Sequence, residues 1–210
     1  MIYLTQSRVD FAHAAKHGLR DSYRWHQAIW AAFPRRAEEK RDFLTRLDRQ
    51  NDGFRALIIS VTEPTRPDWC AVADWSTRAI SESFWKSPSF LFQLCANPSR
   101  KVAKTGADGT RTKNGHRVPL QKREELEEWI LRKAEQGGFS VDAANLRVVP
   151  RGREYFEIPG RGEKGLHSVV DFSGELAVTD LARFRETFQR GIGSAKGFGF
   201  GMLVLQPVRS

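Results

Sequence analysis

The sequence predicts an α+β chain of two tandem ferredoxin-like (RRM-like) βαββαβ domains, residues 1–115 and 116–210. Two observations lead there. Each half mixes segments of two-residue apolar alternation with segments of helical spacing, in a roughly βαββαβ order. A basic stretch containing glycine and proline falls near the middle of the 210 residues, where a boundary between two such units belongs. With 40% hydrophobic residues, the chain has enough apolar material to build a core.

The elements follow in order. Residues 2–9 suit a first strand. Asp21 or Ser22 can cap a helix that runs to about Phe33 and is stopped by Pro34. A second helix is expected over about 37–50, ending before Asn51-Asp52-Gly53. Residues 55–62 (RALIISVT) read as a buried strand, and Pro64 and Pro67 break the pattern after it. Phe90, Phe92, Leu94 and Ala96 alternate as in a strand. Residues 122–136 form a charged amphipathic helix with Leu126, Trp129, Ile130 and Lys133 along one face, ended by Gly137-Gly138. Strands are expected near 139–150, 153–158 and 167–178. A helix capped by Thr179 or Asp180 then runs to about Arg190, and 198–208 is a last strand.

Composition excludes several classes. Lys and Arg outnumber Asp and Glu by 34 to 25, a net +9, yet 11% of residues are aromatic, which a disordered polycation would lack. No apolar run approaches the roughly 18 residues of a membrane span, and the amino terminus has no signal-peptide layout. Cys70 and Cys95 cannot make a disulfide framework or a four-cysteine zinc site. A soluble, cytoplasmic protein of a reducing compartment with an anionic partner is expected, and no membrane partner. Residues 97–123 hold eight Lys/Arg and one Asp, so +7 of the charge sits there. Phosphate would neutralise such a stretch, and a solvated linker is the plainer reading. Arg100, Lys101 and Lys104 are its candidate contacts to such an anion, and charge alone does not separate nucleic acid from an anionic membrane or an acidic protein.

Along the first helix, Trp25, Ala28, Ile29, Ala32 and Phe33 cluster as a core stripe, while Tyr23, His26 and Trp30 share another side. Tyr23 and His26, three apart, address one group. Histidine transfers protons near neutral pH, and a tyrosine hydroxyl orients or stabilises a reacting oxygen. An ordinary polar flank would use the same spacing. Arg20 and Arg24 lie beside the pair. No His, Cys or acidic grouping has metal-ligand spacing, so no metal and no cofactor are expected.

Residues 191–201 (GIGSAKGFGFG) carry five glycines at odd positions. A phosphate loop would need strand, glycines, then helix, the reverse of the order here. Lys196-Gly197-Phe198-Gly199-Phe200 matches only the start of an RNA-recognition strand. Read as a strand, Gly197, Gly199 and Gly201 leave one face bare while Phe198, Phe200 and Met202 enter the core. Ser194 and Lys196 stand at the mouth of that bare face with donors for phosphate.

Taken together, the chain resembles the repeat-processing endoribonuclease family of the type I-E CRISPR Cascade complex (CasE/Cse3). The matching residues are Tyr23-Arg24-Trp25-His26-Gln27 through Trp30 and Phe33-Pro34, and then Arg41-Asp42-Phe43-Leu44. Phe92-Gln93-Leu94, Ala96-Asn97-Pro98 and Arg117-Val118-Pro119-Leu120 follow. The last are Tyr155-Phe156, Gly174 to Asp180, Gly191-Ile192-Gly193 and Ala195-Lys196. The resemblance implies an endoribonuclease of tandem ferredoxin-like domains that binds the stem-loop of a CRISPR repeat transcript. It implies one metal-free cut at the 3′ base of the stem, retention of the product, and partnership with other Cascade subunits. Its catalytic histidine and tyrosine carry onto His26 and Tyr23. Its basic β-hairpin carries onto 147–164, with Arg147, Arg151, Arg153, Arg161 and Lys164. Cys95 departs from the family, which often has a basic residue there. A non-catalytic RNA-binding subunit would fit the composition equally well, and a metal-dependent nuclease would need clustered carboxylates that the sequence does not offer.

Overall fold

The computed structural model describes residues 1–34, 41–103, 115–158 and 163–208, with the side chains of 156–158 and 163–164 left aside. The chain opens with β1 (Tyr3–Asp10), whose inward residues include the fully buried Thr5 and Ser7. A short helix α1 (Phe11–Lys16) is capped by Asp10, and α2 (Ser22–Trp30) by Asp21, whose carboxylate accepts from the Arg24 N–H at 2.8 Å. There follow β2 (Phe43–Arg49), β3 (Gly53–Ser60) and β4 (Trp75–Ala79). All pair antiparallel in the order β2-β3-β1-β4.

The helix expected over 37–50 is corrected in part: Phe43–Arg49 is a strand, and 37–40 lie outside the described residues. Phe43, Leu44 and Leu47 have helical spacing, but β2 is held by pairing to β3 across a tight turn, from Phe43 opposite Ser60 to Arg49 opposite Phe54. Between β3 and β4 there is no α-helix, only a 3₁₀ turn at Val72–Asp74. Pro64 and Pro67 prevent one. Trp69 and Cys70 from this segment plug the core under α2 instead, the Trp69 indole N–H donating to the Ala28 carbonyl at 2.9 Å.

The second sheet begins with β5 (Ser89–Ala96). Next come a small hairpin of β6 (Ser99–Val102) and β7 (His116–Pro119), then α3 (Arg123–Gln136), β8 (Phe139–Val141) and β9 (Arg147–Ile158). β10 (Glu163–Val178), α4 (Leu181–Arg190) and β11 (Leu203–Pro207) complete it. The order is β11-β5-β10-β8, with β9 continuing the β8 edge along β10. Both sheets place their first and third strands at the centre, the ferredoxin-like arrangement.

Because β5 lies between β10 and β11, the halves divide within 80–88 and not at 115/116. The alternating Phe90, Phe92, Leu94 and Ala96 pack among α3 and α4 residues such as Trp129, Ile130 and Phe184, which makes β5 the first strand of the second unit. The basic segment 97–123 is therefore an insertion within that unit and not a linker between domains. The two halves share a core: Ile2, Leu44, Leu57 and Ile59 of the first sheet belong to the same apolar cluster as Phe92, Leu94, Met202 and Leu203 of the second. No described helix is long and apolar enough to cross a membrane.

Residues 191–201 correct the strand expected over 198–208, which begins only at Leu203. Lys196–Phe198 is a 3₁₀ turn inside a closed loop, tied by Ile192 N–H to Gly201 O and Gly201 N–H to Cys95 O, both 2.8 Å. Gly201, at φ +85°, sits where a Cβ would come within 2.4 Å of the Ile192 carbonyl oxygen. The glycines serve positive φ and close backbone approach, not a bare strand face.

Candidate active site

The stripe expected along α2 is buried as Trp25 and Ile29, continued by Ala32 and Phe33. His26 therefore flanks the core and is half-buried. Its Nε2 accepts a hydrogen bond from the Trp30 indole at 3.0 Å. An indole N–H only donates, so Nε2 carries the lone pair and the neutral ring holds its proton on Nδ1. Among the described residues, Nδ1 is buried without a partner. Burial, and then the positive charge of Arg41, hold the His26 pKa down at about 4.

Two further elements converge on this imidazole. Arg41 stands just ahead of β2, and burial lowers its own pKa. Gly197, in the 3₁₀ turn, faces both. A Cβ placed on it would lie 3.1 Å from Arg41 Nη1, 3.8 Å from His26 Cε1 and 3.9 Å from His26 Nε2. Lys196 donates to the Arg190 carbonyl at 2.8 Å. Its pKa is lowered by burial and then by Arg41, Lys133 and Arg190. Among the described residues no carboxylate pairs with Arg41 or Lys196. A half-buried cluster of cations without a counter-anion is a place for an anion. Tyr23, one turn before His26, accepts from Gln27 Nε2 at 3.1 Å and is half-buried.

A basic cavity of about 330 Å³ continues from Lys196 between the glycine loop, α3 and the base of the β6–β7 hairpin. Ser194, Lys196, Arg117, Arg132 and Lys133 line it. Ser194 itself donates to the Asn97 carbonyl at 3.2 Å. Asn97 in turn bridges to His167 Nδ1 and the Ser168 N–H, both at 3.1 Å, and so ties β5's end to β10.

The other expected basic residues fall on the β6–β7 hairpin, on β9 and around α2. Arg100 and Lys101 lie on β6, and Arg100 pairs with Glu125 at 3.0 Å. Arg147, Arg151 and Arg153 lie on β9, Arg151 3.5 Å from Asp171. Arg20 and Arg151 border a second cavity beside the N-terminal turn of α2. Arg24 is half-buried on α2. Lys104 and Arg161 lie outside the described residues, as does the side chain of Lys164. Cys95 sits under the glycine loop, its thiol pushed up to about 12 by burial and by Asp171. Among the described residues no three His, Cys, Asp or Glu side chains group as a metal site.

Arg41, Gly197, Arg117, Arg132 and Lys133 were not expected at the site. Arg41 was hidden by the helical reading of 37–50, which detached it from the chemistry. Gly197 was expected on a bare strand face and not against His26.

A model of the family described as CRISPR associated protein matches residues 2–207. The CRISPR system Cascade subunit CasE of Escherichia coli K12 is 30% identical over 193 residues, covering 90% of this chain and 94% of that protein. The CRISPR-associated endoribonuclease Cse3 of Thermus thermophilus is 27% identical, over 93% and 95% of the two chains. The structure of Thermus thermophilus Cse3 bound to an RNA representing a pre-cleavage complex superposes with a TM-score of 0.75 at 26% identity, covering 98% of this chain and 99% of that one.

Proposed function

The chain belongs to the CRISPR-associated protein family, in its CasE/Cse3 branch, and from that premise we propose that it is an endoribonuclease that matures CRISPR RNA. It binds the stem-loop of the repeat transcript, cuts once at the 3′ base of the stem without a metal, keeps the product, and joins other Cascade subunits. The observation that carries the reading is the neutral His26 beside the guanidinium of Arg41, which no carboxylate among the described residues pairs, both facing Gly197.

The chemistry follows from those groups. The scissile phosphate sits against Arg41 and Lys196, whose charges repel a divalent cation and attract phosphate. A pKa of about 4 leaves His26 as a base at neutral pH. Its Nε2, released from the Trp30 N–H, takes the proton of the adjacent 2′-hydroxyl. The 2′-oxygen then forms a bond to phosphorus and the bond to the 5′-oxygen breaks. The products are a 2′,3′-cyclic phosphate and a 5′-hydroxyl, the leaving oxygen taking a proton from Tyr23 or solvent. Arg41 and Tyr23 stabilise the charge that builds on the phosphorane. The cavity lined by Ser194, Arg117 and Lys133 continues the anionic path along the RNA backbone, and an A-form stem is held there by shape and phosphate. Arg100, Lys101, Arg147, Arg151 and Arg153 extend that hold.

The test is cleavage of a hairpin transcript of the CRISPR repeat from the same genome, in EDTA. The wild type is expected to cut, and His26→Ala to lose on the order of 10²–10⁴-fold in rate while binding as before. A substrate with one 2′-deoxy sugar at the cut should bind and stay intact. Tight binding without cleavage by the wild type would instead make the chain a non-catalytic RNA-binding subunit.

A further inference from the structure

On the other side of the 3₁₀ turn lies a cavity the cutting chemistry does not use. It measures about 340 Å³, at the lower end of the range in which small ligands are held. One residue along from His26 and one along from Gly197, Trp25 and Phe198 contribute to its lining. Phe54 and Phe200 supply further aromatic surface, Trp25 and Phe54 meeting edge to face at 5.5 Å. Phe198 and Phe200 are held from behind by the His167 ring, at 4.8 and 5.3 Å. Arg20, Arg49 and Arg151 stand around this aromatic floor.

Two acids also reach the cavity. Asp21 is spent on capping α2. Glu154 stands exposed at the cavity's edge and makes no hydrogen bond or ion pair among the described residues; partial desolvation raises its pKa against the opposing pull of the Arg151 charge. Its partner across the hairpin is His167, so it lies on the β9 face turned toward the glycine loop.

Aromatic walls, an arginine rim and one unspent carboxylate describe a site for a flat, polar-edged ring attached to a phosphate chain. We infer that this cavity takes one unpaired nucleobase of the RNA beside the stem, with Glu154 accepting a hydrogen bond from its exocyclic amine and the arginines holding the flanking phosphates. This rests on the reading of the chain as an RNA-processing enzyme. Adenine, cytosine and guanine carry an exocyclic amine, and uracil does not, so the site selects against uracil at that position. The pocket thereby fixes which nucleotide is drawn out of line next to the cut, a selectivity that stem shape alone does not provide.

The experiment uses the full chain and the repeat hairpin with a 2′-deoxy sugar at the cut, so that binding is read without cleavage. 2-Aminopurine is placed in turn at each unpaired position flanking the stem. One position is expected to be quenched on binding. Replacing the natural base there with uracil should weaken binding on the order of tenfold, the scale of a hydrogen bond to a charged group. Glu154→Gln, on an exposed edge strand, keeps an acceptor and adds a donor, so it should erase that discrimination while the bare stem binds as before. Binding with no quenched position, or unchanged discrimination in Glu154→Gln, overturns the pocket alone. Failure of every hairpin to bind overturns the RNA-processing reading and the pocket with it.

Discussion

Gly197→Ala is the sharpest probe of the proposed site, because it adds one methyl group and nothing else. The backbone at Gly197 is not in the positive-φ region, so alanine is tolerated there without strain. The new Cβ would stand 3.1 Å from Arg41 Nη1, and ordinary contact begins near 3.5 Å. The guanidinium must retreat by about 0.4 Å, while the His26 ring, at 3.8–3.9 Å, is left in ordinary contact. A misplacement of 1 Å can cost roughly 10²-fold in rate. Scaled to the smaller shift, the loss should be about three- to tenfold. Removing the group altogether, as in Arg41→Ala, should cost on the order of 10²–10³, the range for a lost transition-state donor. The assay is single-turnover cleavage of the repeat hairpin, with thermal unfolding measured on the same preparations. The graded series is expected with melting temperatures unchanged. A Gly197→Ala enzyme that cuts like the wild type would refute the placement of Arg41 against the reacting phosphate. So would a loss fully matched by a fall in melting temperature.

Four further outcomes are expected. His26 is neutral in the free protein down to about pH 4, and a bound phosphate raises its pKa, so the acid limb of kcat should lie at higher pH than that of kcat/KM. The unfolded chain binds a proton at the ordinary value of 6.5 that the folded site refuses until about 4, so stability should fall as pH drops through that window, and less steeply in His26→Gln. Gly138 has φ +77° and a Cβ there would come 2.6 Å from the Asp180 carbonyl oxygen, where Thr179 and Asp180 both donate to Gly138; Gly138→Ala should cost at least about 1–3 kcal/mol by urea unfolding. Neutralising Lys101 and Arg117 together should flatten the salt dependence of hairpin binding by about 1.5 units, at roughly 0.7–0.9 per phosphate, and Arg100 should contribute less because Glu125 already pairs with it.

Local signals were legible where they were self-contained. The alternation of Phe90 to Ala96 became β5, and Asp21 and Asp180 cap the helices they were expected to cap. What was missed depends on distant partners. Phe43–Arg49 has helical spacing and becomes a strand only because residues 54–60 pair with it. Ser99–Val102 and His116–Pro119 look like basic loop until they meet each other. The alternating glycines imitate a strand, yet the positive φ angles of Gly191, Gly193, Gly199 and Gly201 serve a closed loop. For the same reason Tyr23 and His26 stand out as a pair on one helix, while the approach of Arg41 and Gly197 to His26 from two other elements is visible only in the fold.

The meeting of His26 with Gly197 has a consequence for how the protein is made. A histidine near the beginning of the chain acquires its surroundings from a turn some 170 residues later. A ribosome is itself built of RNA, and through most of synthesis the emerging polypeptide carries the proposed base without the loop that completes its pocket. The surroundings of the proposed base are therefore complete only in the full-length fold, when the loop from the second sheet lies against α2.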